Sequence, residues 1–117
     1  MASIREELAL QRSFQCLRLI HQRGDISTRD LADKLNVSNG AAYYILSSLI
    51  EKGYVKVENF KNNPKKSRYF YSLTPFGVRE KAQLTYLFIK RKRMEYQSLL
   101  LEVEEMEREL KANQDIA

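Results

Sequence analysis

Few side chains of this 117-residue chain could take part in covalent or metal chemistry. His21 is the only histidine and Cys16 the only cysteine, and at a spacing of five the two would point in different directions from a helix. No third metal ligand follows them, and the four glycines form no phosphate-binding loop. We therefore expect no enzyme activity, no metal site and no cofactor.

Hydrogen-bonding chemistry is concentrated in the segment 39–52. If this segment is a helix, Ala42, Ile45, Leu46 and Leu49 share one apolar face. The other side is small, polar and aromatic and has no acidic residue before Glu51. Such a face can enter a DNA major groove, and a glycine in it lets the backbone approach closely. The alternative is an ordinary solvated face, but such faces usually carry Lys and Glu. The predicted DNA contacts are Ser38, Asn39, Gly40, Tyr43, Tyr44 and Ser47.

The charge distribution favours a polyanionic partner. The net charge is +5, but residues 1–98 hold 18 Lys and Arg against 9 Asp and Glu, whereas residues 99–117 hold 2 against 6. A basic body with an acidic tail points to nucleic acid ahead of a membrane surface. The densest basic run, residues 90–93, would spread around a helix axis, so a solvated helix is slightly favoured there over a role beside DNA.

Phosphate contacts are expected from two other segments. Thr28 and Arg29 begin a short helix, whose N-terminus could fix the position of the protein on the DNA backbone. A basic turn could reach phosphates or the minor groove, although a solubilising turn is the alternative. Its predicted contacts are Lys61, Lys65, Lys66 and Arg68.

Capping signals predict three helices. Ser3 begins the first, over residues 3–23, and Gly24 should end it in a left-handed conformation. Ser27 caps a short helix that stops near residue 36, and a third follows from Asn39 to Lys52, with Ser38 as its cap and Gly53 after it. The short second helix, a turn with a buried Val37, and the third helix make a helix-turn-helix.

After the third helix, the spacing of apolar residues changes to every second position. Val55 and Val57 alternate with charged residues, residues 62–66 form a turn cluster, and Tyr69 and Tyr71 alternate beyond it. This pattern predicts a β-hairpin, the wing of a winged helix. The aromatic residues around it should form a core between the wing and the body: Tyr54, Tyr69, Phe70, Tyr71 and Phe76.

Thr74-Pro75 signals one more helix, which should run to about residue 112. A helix of this length cannot bury itself against so small a domain, so we expect it to pair with a second copy. Leu99, Val103, Met106 and Leu110 recur at steps of four, three and four, which is a short coiled-coil seam. The predicted dimerisation residues are Leu84, Leu87, Phe88, Tyr96, Leu99, Val103, Met106 and Leu110.

These elements predict an α+β, mainly helical fold. Residues 1–74 would be a winged helix-turn-helix DNA-binding domain, and residues 75–117 a long dimerisation helix. The chain shows no signal peptide, no apolar run of the roughly 20 residues that a membrane span needs, and a cysteine count that fits a reducing compartment. We expect a cytoplasmic protein with no membrane partner.

Several runs resemble a known family. Leu31-Ala32, Val37-Ser38 and the stretch from Leu49 to Val55 resemble the winged helices of MarR-type regulators, and the run from Leu73 to Gly77 resembles their exit from the wing. The hairpin strands and Glu80-Lys81, together with Leu84-Thr85, Arg91-Lys92 and Glu95-Tyr96, look like the short exopolysaccharide-associated MarR-family regulators of bacteria. The resemblance implies a bacterial regulator that binds two DNA half-sites as a symmetric dimer. It carries over no effector.

Two functions therefore remain in view. The first is a homodimeric, sequence-specific regulator that binds double-stranded DNA, with surface or exopolysaccharide genes as its targets. The alternative is a winged helix used as a protein-interaction module, whose long helix docks on another coiled coil. The basic wing and the uncharged face of residues 39–52 favour the first.

Overall fold

The computed structural model describes residues 3–58 and 69–116. Three helices come first: α1, Ile4–Gln22; α2, Thr28–Leu35; and α3, Asn39–Glu51. Two short strands follow, β1, Val55–Glu58, and β2, Phe70–Leu73, before the long helix α4, Pro75–Ile116. This order confirms the predicted winged helix-turn-helix with a long C-terminal helix. The basic turn expected at residues 61–68 lies outside the described residues.

Local signals place the ends of the first three helices. Ser3 and Glu6 form a reciprocal capping box at the start of α1. The hydroxyls of Ser27 and Ser38 accept hydrogen bonds from the backbone N–H groups of Asp30 and Ala41, at 3.0 and 3.1 Å. The turn between α2 and α3 begins at Asn36, whose φ of 56° lies in the left-handed region. The predicted starts of these helices are confirmed.

A left-handed residue also ends α3. Gly53 has a φ of 81°, as its predicted place after the helix requires. Two of the neighbouring predictions were wrong in detail. Gly24 does not adopt a positive φ, because α1 is capped by Arg23 in an extended conformation. Val37 is only half-buried in its turn.

Gly24 has a different role, which is to admit β2. The backbone N–H of Tyr71 donates to the carbonyl of Gly24 at 2.8 Å. A Cβ atom at Gly24 would collide with the carbonyl oxygen of Tyr71 and with the ring of Phe70. Only a residue without a side chain lets the strand approach α1 this closely.

The hairpin is antiparallel and pairs Val55 with Leu73 and Val57 with Tyr71. Val55 and Tyr71 are buried, whereas Val57 is exposed. The expected aromatic core is therefore only partly right, since Tyr69 and Phe76 also lie exposed at the surface. The chief core of the domain is aliphatic and lies between the three helices, where its largest fully buried side chains are Cys16, Leu17, Ile20, Ile26 and Leu31.

The chain divides into two compact units, residues 1–84 and 85–117. The boundary falls inside α4, whereas the sequence placed it at the start of this helix. The first turns of α4 belong to the first unit because their side chains meet it; the Nζ atom of Lys81, for example, lies 2.8 Å from Nδ1 of His21.

Thr74 joins α4 to the end of α3. Its hydroxyl accepts a hydrogen bond from the backbone N–H of Gly77 at 3.0 Å, which caps α4. The same hydroxyl donates to the carbonyl of Gly53.

Among the described residues, no helix is both long and apolar enough to cross a membrane.

Candidate nucleic-acid interface

Helix α3 separates its residues by face much as the helical wheel predicts. Ala42, Leu46 and Leu49 are buried, and Ile45 is half-buried. On the other side, Tyr43 and Tyr44 leave 65% and 75% of their surface exposed. Two large aromatic side chains with this much exposure on one short helix are unusual for a surface that only meets water. Asn39 and Gly40 are exposed as well, and Ser47 is half-buried.

The exposed face carries little charge of its own. Residues 39–50 hold no acidic and no basic residue, so nothing on this side repels a phosphate before Glu51. Three exposed residues lie at the start of the helix: Ser38 as the cap, then Asn39 and Gly40 in the first turn. The N-terminal end of a helix carries partial positive charge, which favours an anion at this point.

A tyrosine on the wing strand reaches the first helix of the motif. The hydroxyl of Tyr71 is hydrogen-bonded to the side chain of Thr28 at the start of α2. Burial, followed by the negative charge that Tyr69 and Tyr43 would carry when ionised, raises the pKa of Tyr71, so the group keeps its proton. The predicted phosphate ligand Thr28 is therefore also a structural contact of β2.

Sequence reasoning missed the part that Tyr71 plays in this interface. Its alternation with Tyr69 placed it on the buried side of a strand, but nothing in the pattern showed that its hydroxyl reaches α2. The consequence is that strand β2 is tied to the start of α2. Arg29, next to Thr28 in the first turn of α2, is exposed.

A second feature lies beside Tyr44. This side chain lines a cavity of about 420 Å³ between α1 and α3, together with Arg12 of α1 and Lys52 at the end of α3. Small and hydroxyl-bearing residues complete the lining: Ala9, Ser13, Ala41, Ile45 and Ser48. The lining holds two cationic side chains and no acidic one, so positive potential adjoins the uncharged face of α3. Arg12 was not among the predicted site residues, because α1 gave no sign that it approaches α3 here.

The remaining predicted contacts with DNA lie outside the described residues. They are the basic residues of the wing turn: Lys61, Lys65, Lys66 and Arg68. The strands on either side of this turn are paired in register, so residues 58 and 70 oppose one another at its base.

No three His, Cys, Asp or Glu side chains come together as a possible metal site within residues 3–58 and 69–116.

This arrangement can be set against known proteins. Residues 11–66 match the sequence profile of the MarR family. The matched segment is slightly less than half of the chain and includes α2, the turn, α3 and β1. The face of α3 that exposes Tyr43 and Tyr44 therefore lies within it. A search of curated proteins finds no match to this chain.

Solved structures of MarR-type proteins share the fold. The chain is similar to the adhesin competence repressor AdcR of Streptococcus pyogenes, with a TM-score of 0.64 and 22% identity over 78% of this chain and 65% of that one. It is similar to apo MarR of E. coli, with a TM-score of 0.57 and 24% identity over 69% and 65% of the two chains.

A third similar structure is a MarR transcriptional regulator from Methanosarcina mazei Go1. Its TM-score is 0.61, and its identity is 18% over 74% of this chain and 61% of that one. At identities below 25%, these similarities establish the fold. The chain spans less than two thirds of the length of each of the three proteins.

The second unit lies beyond the MarR match, and it holds most of the residues predicted to form a dimer. Tyr96 and the four seam residues are exposed in the single chain. Leu84 and Phe88 are buried, so little of their surface is left for a second copy, and Leu87 is half-buried. The exposed seam consists of Leu99, Val103, Met106 and Leu110.

Proposed function

We propose that this protein is a transcription regulator that binds double-stranded DNA through the exposed face of α3. The observation that carries the proposal is the pair Tyr43 and Tyr44, which project from an uncharged surface beside the N-terminal end of a helix. The MarR match over residues 11–66 supports it, because this match covers the same surface. Two of the similar structures are named as a repressor and as a transcriptional regulator.

In this proposal each part of the domain has its own task. Residues Asn39, Gly40, Tyr43, Tyr44 and Ser47 meet base edges and the nearby backbone, which sets the sequence preference. Arg29 and the wing lysines supply the salt-dependent attraction to phosphates. Tyr71 holds α2 and the wing together, so that both reach the DNA in a fixed relation to α3.

We also propose that the regulator acts as a homodimer in the bacterial cytoplasm. The exposed seam of α4 is an apolar stripe, and its contact with water is unfavourable. A second copy has the same stripe, so pairing would bury both. Two copies would read two half-sites. Genes for surface or exopolysaccharide are the proposed targets, on the resemblance of the hairpin and of the start of α4 to the short exopolysaccharide-associated regulators.

The first experiment measures binding to DNA as a function of salt. The duplex from upstream of the gene is compared with a scrambled duplex of the same length, by fluorescence anisotropy. Saturable binding that is tighter for the upstream duplex and falls steeply with salt is the expected result. Equal, weak binding to both would contradict the proposal and favour a protein-interaction module instead.

Two variants then separate recognition from attraction. Tyr44→Ala should reduce the preference for the upstream duplex, whereas Lys65→Ala with Lys66→Ala should weaken binding to both duplexes and lower the salt slope by up to about two. Tyr86→Ala is the matched control, because Tyr86 is also a highly exposed tyrosine but belongs to α4. If Tyr44→Ala and Tyr86→Ala behave alike, the recognition face has been placed wrongly.

The dimer has its own test. The double variant Val103→Glu with Met106→Glu places two negative charges in the seam of each copy, four in the dimer, where water would be excluded. It should therefore sediment as a monomer at concentrations where the parent chain is a dimer. A double variant that remains dimeric would show that the copies meet elsewhere.

A further inference from the structure

The cavity between α1 and α3 holds an arginine whose charge is not balanced. Arg12 is half-buried, yet its side chain forms no ion pair or hydrogen bond with any residue that the structure describes. Lys52 lines the same cavity, and its side chain is likewise unpaired within the described ranges. Partial burial removes water from a cation, and an anion in place of that water restores the lost stabilisation. The cavity therefore suits an anion from outside the chain.

The cavity borders one side of the face of α3 that is proposed to enter the major groove. With Tyr44 at the middle of this face, Tyr43 lies about 100° to one side on a helical wheel. Ser48 and Lys52 lie about 40° and about 80° to the other side, and both line the cavity. Arg12 reaches this second side of α3 from α1.

A helix in the major groove has a phosphate backbone along each of its sides. The groove is about 12 Å wide and a helix with its side chains is about 10–12 Å across, so little space separates the helix from either backbone. The side of α3 with Ser48 and Lys52 must therefore face one backbone when Tyr44 is in the groove. The proposed phosphate contacts of Arg29 and the wing lysines come from α2 and the hairpin, so none of them belongs to α1.

We propose that Arg12 binds a phosphate of the DNA backbone, with Lys52 on the α3 side of the same cavity. This inference rests on the proposed DNA-binding function and adds α1 to the interface. A guanidinium group can donate two parallel hydrogen bonds to phosphate oxygens, and the hydroxyls of Ser13 and Ser48 in the lining can donate others. Because Arg12 and Tyr44 line one cavity, this contact sets the position of the recognition face on the duplex.

The salt dependence of binding tests the contact through Arg12→Gln. Glutamine removes the charge and keeps part of the aliphatic stem in the cavity. Each neutralised phosphate contributes about 0.9 to the salt slope, so the slope should fall by about one with both the upstream and the scrambled duplex. Between about 50 and about 200 mM salt, the variant should lose roughly threefold less affinity than the parent chain. Arg12→Lys, which keeps the charge, should recover most of the slope.

Arg18→Gln is the matched control. Arg18 is also on α1, but its guanidinium group lies 5.6 Å from the centre of the Phe14 ring, and it does not line the cavity. Both variants lose one positive charge, so any effect of net charge at long range is common to them. Urea midpoints establish that both variants fold. A smaller slope with Arg12→Gln alone supports the proposal, and equal slopes for the two variants overturn it.

Ethylation interference identifies the phosphate itself. An ethyl group removes the charge of one backbone phosphate, so it weakens binding wherever the protein contacts that phosphate. The parent chain and Arg18→Gln should be sensitive at a phosphate where Arg12→Gln is not. An interference pattern for Arg12→Gln that is identical to the parent's would overturn the proposal.

Two further outcomes separate this inference from its alternatives. If inorganic phosphate binds the free parent chain but not Arg12→Gln, and the interference patterns are the same, the cavity holds a free anion and the proposal is overturned. If the parent chain binds neither duplex, the DNA-binding function itself is refuted, and this contact with it.

Discussion

Two glycines of the first unit should respond to the same substitution with opposite signs. Gly24 has an ordinary φ, but a Cβ there would collide with the carbonyl oxygen of Tyr71 and the ring of Phe70. Gly40 lies in the first turn of α3, where a Cβ would meet nothing within 4 Å. Alanine is therefore compatible with the backbone at both positions, and only the surroundings distinguish them.

The magnitudes follow from these surroundings. Overpacking costs about 1–3 kcal/mol, and the Tyr71 carbonyl cannot move away without weakening the 2.8 Å hydrogen bond from Tyr71 N–H to the Gly24 carbonyl. A smaller unfolded-state entropy offsets about 0.4–1 kcal/mol of this, so Gly24→Ala should lower the free energy of unfolding by about 1–2 kcal/mol. Gly40→Ala should raise it by about 0.5–1 kcal/mol, because alanine is the better helix former.

Urea denaturation followed by circular dichroism measures both changes. The midpoints are compared at one fixed protein concentration, since dimerisation would make them depend on it. Because a domain is stable by only about 5–15 kcal/mol, a difference of about 2 kcal/mol between the variants is readily resolved. A neutral or stabilising Gly24→Ala would mean that β2 does not approach α1 as described, and the contact of Tyr71 with Thr28 would lose its support.

The variant Gly40→Ala also tests whether Gly40 contacts DNA. The added methyl group meets nothing in the free protein, so it can be obstructed only in a complex. If the backbone at Gly40 approaches the DNA closely, this stabilised variant should bind the upstream duplex roughly tenfold more weakly, or about 1.4 kcal/mol. A stabilised variant with unchanged affinity would remove Gly40 from the interface.

Three further predictions concern the residues that hold the first unit together. Tyr71→Phe and Thr28→Val should each cost about 1 kcal/mol, and a double-mutant cycle in urea should return a coupling of the same size; additive effects would deny the hydrogen bond. Thr74→Val should cost about 1–2 kcal/mol, because it removes the cap of α4 and the bond to the Gly53 carbonyl, and Thr74→Ser should recover most of this loss. Cys16, whose pKa is raised to about 12 by burial, should react with iodoacetamide at pH 8 only as fast as the protein unfolds; rapid labelling in native buffer would contradict its burial.

The parts of this fold that the sequence predicts are those with local causes. Ser27, Ser38 and Gly53 act on backbone groups within a few residues of themselves, so their types and spacing suffice to place the helix ends. The inward face of α3 follows from a period of 3.6 residues. The start of α4 follows from Thr74 and Pro75 in the same way.

The misjudged features have causes that are distant in the chain. Gly24 reads as a helix stop, because a glycine after a helix commonly adopts a left-handed conformation, but the reason for it is a strand that arrives nearly fifty residues later. Tyr69 and Phe76 are aromatic and lie near the hairpin, yet which aromatic side chains are buried depends on the approach of β2 to α1. The contact of Tyr71 with Thr28 and the approach of Arg12 to Tyr44 are likewise products of packing, which a single sequence does not reveal.

These distant contacts form one connected path from the core to the proposed interface. Gly24 lets β2 approach α1, and β2 then places Tyr71 against Thr28. Thr28 begins α2, which packs against α3. A change at Gly24 should therefore disturb DNA binding as well as stability, although Gly24 itself touches none of the predicted contacts. The disturbance would differ from that of Gly40→Ala, where affinity falls while stability rises. If Gly24→Ala lowers stability and leaves the affinity of the folded fraction unchanged, the path transmits nothing to α3, and the recognition face is held by the three helices alone.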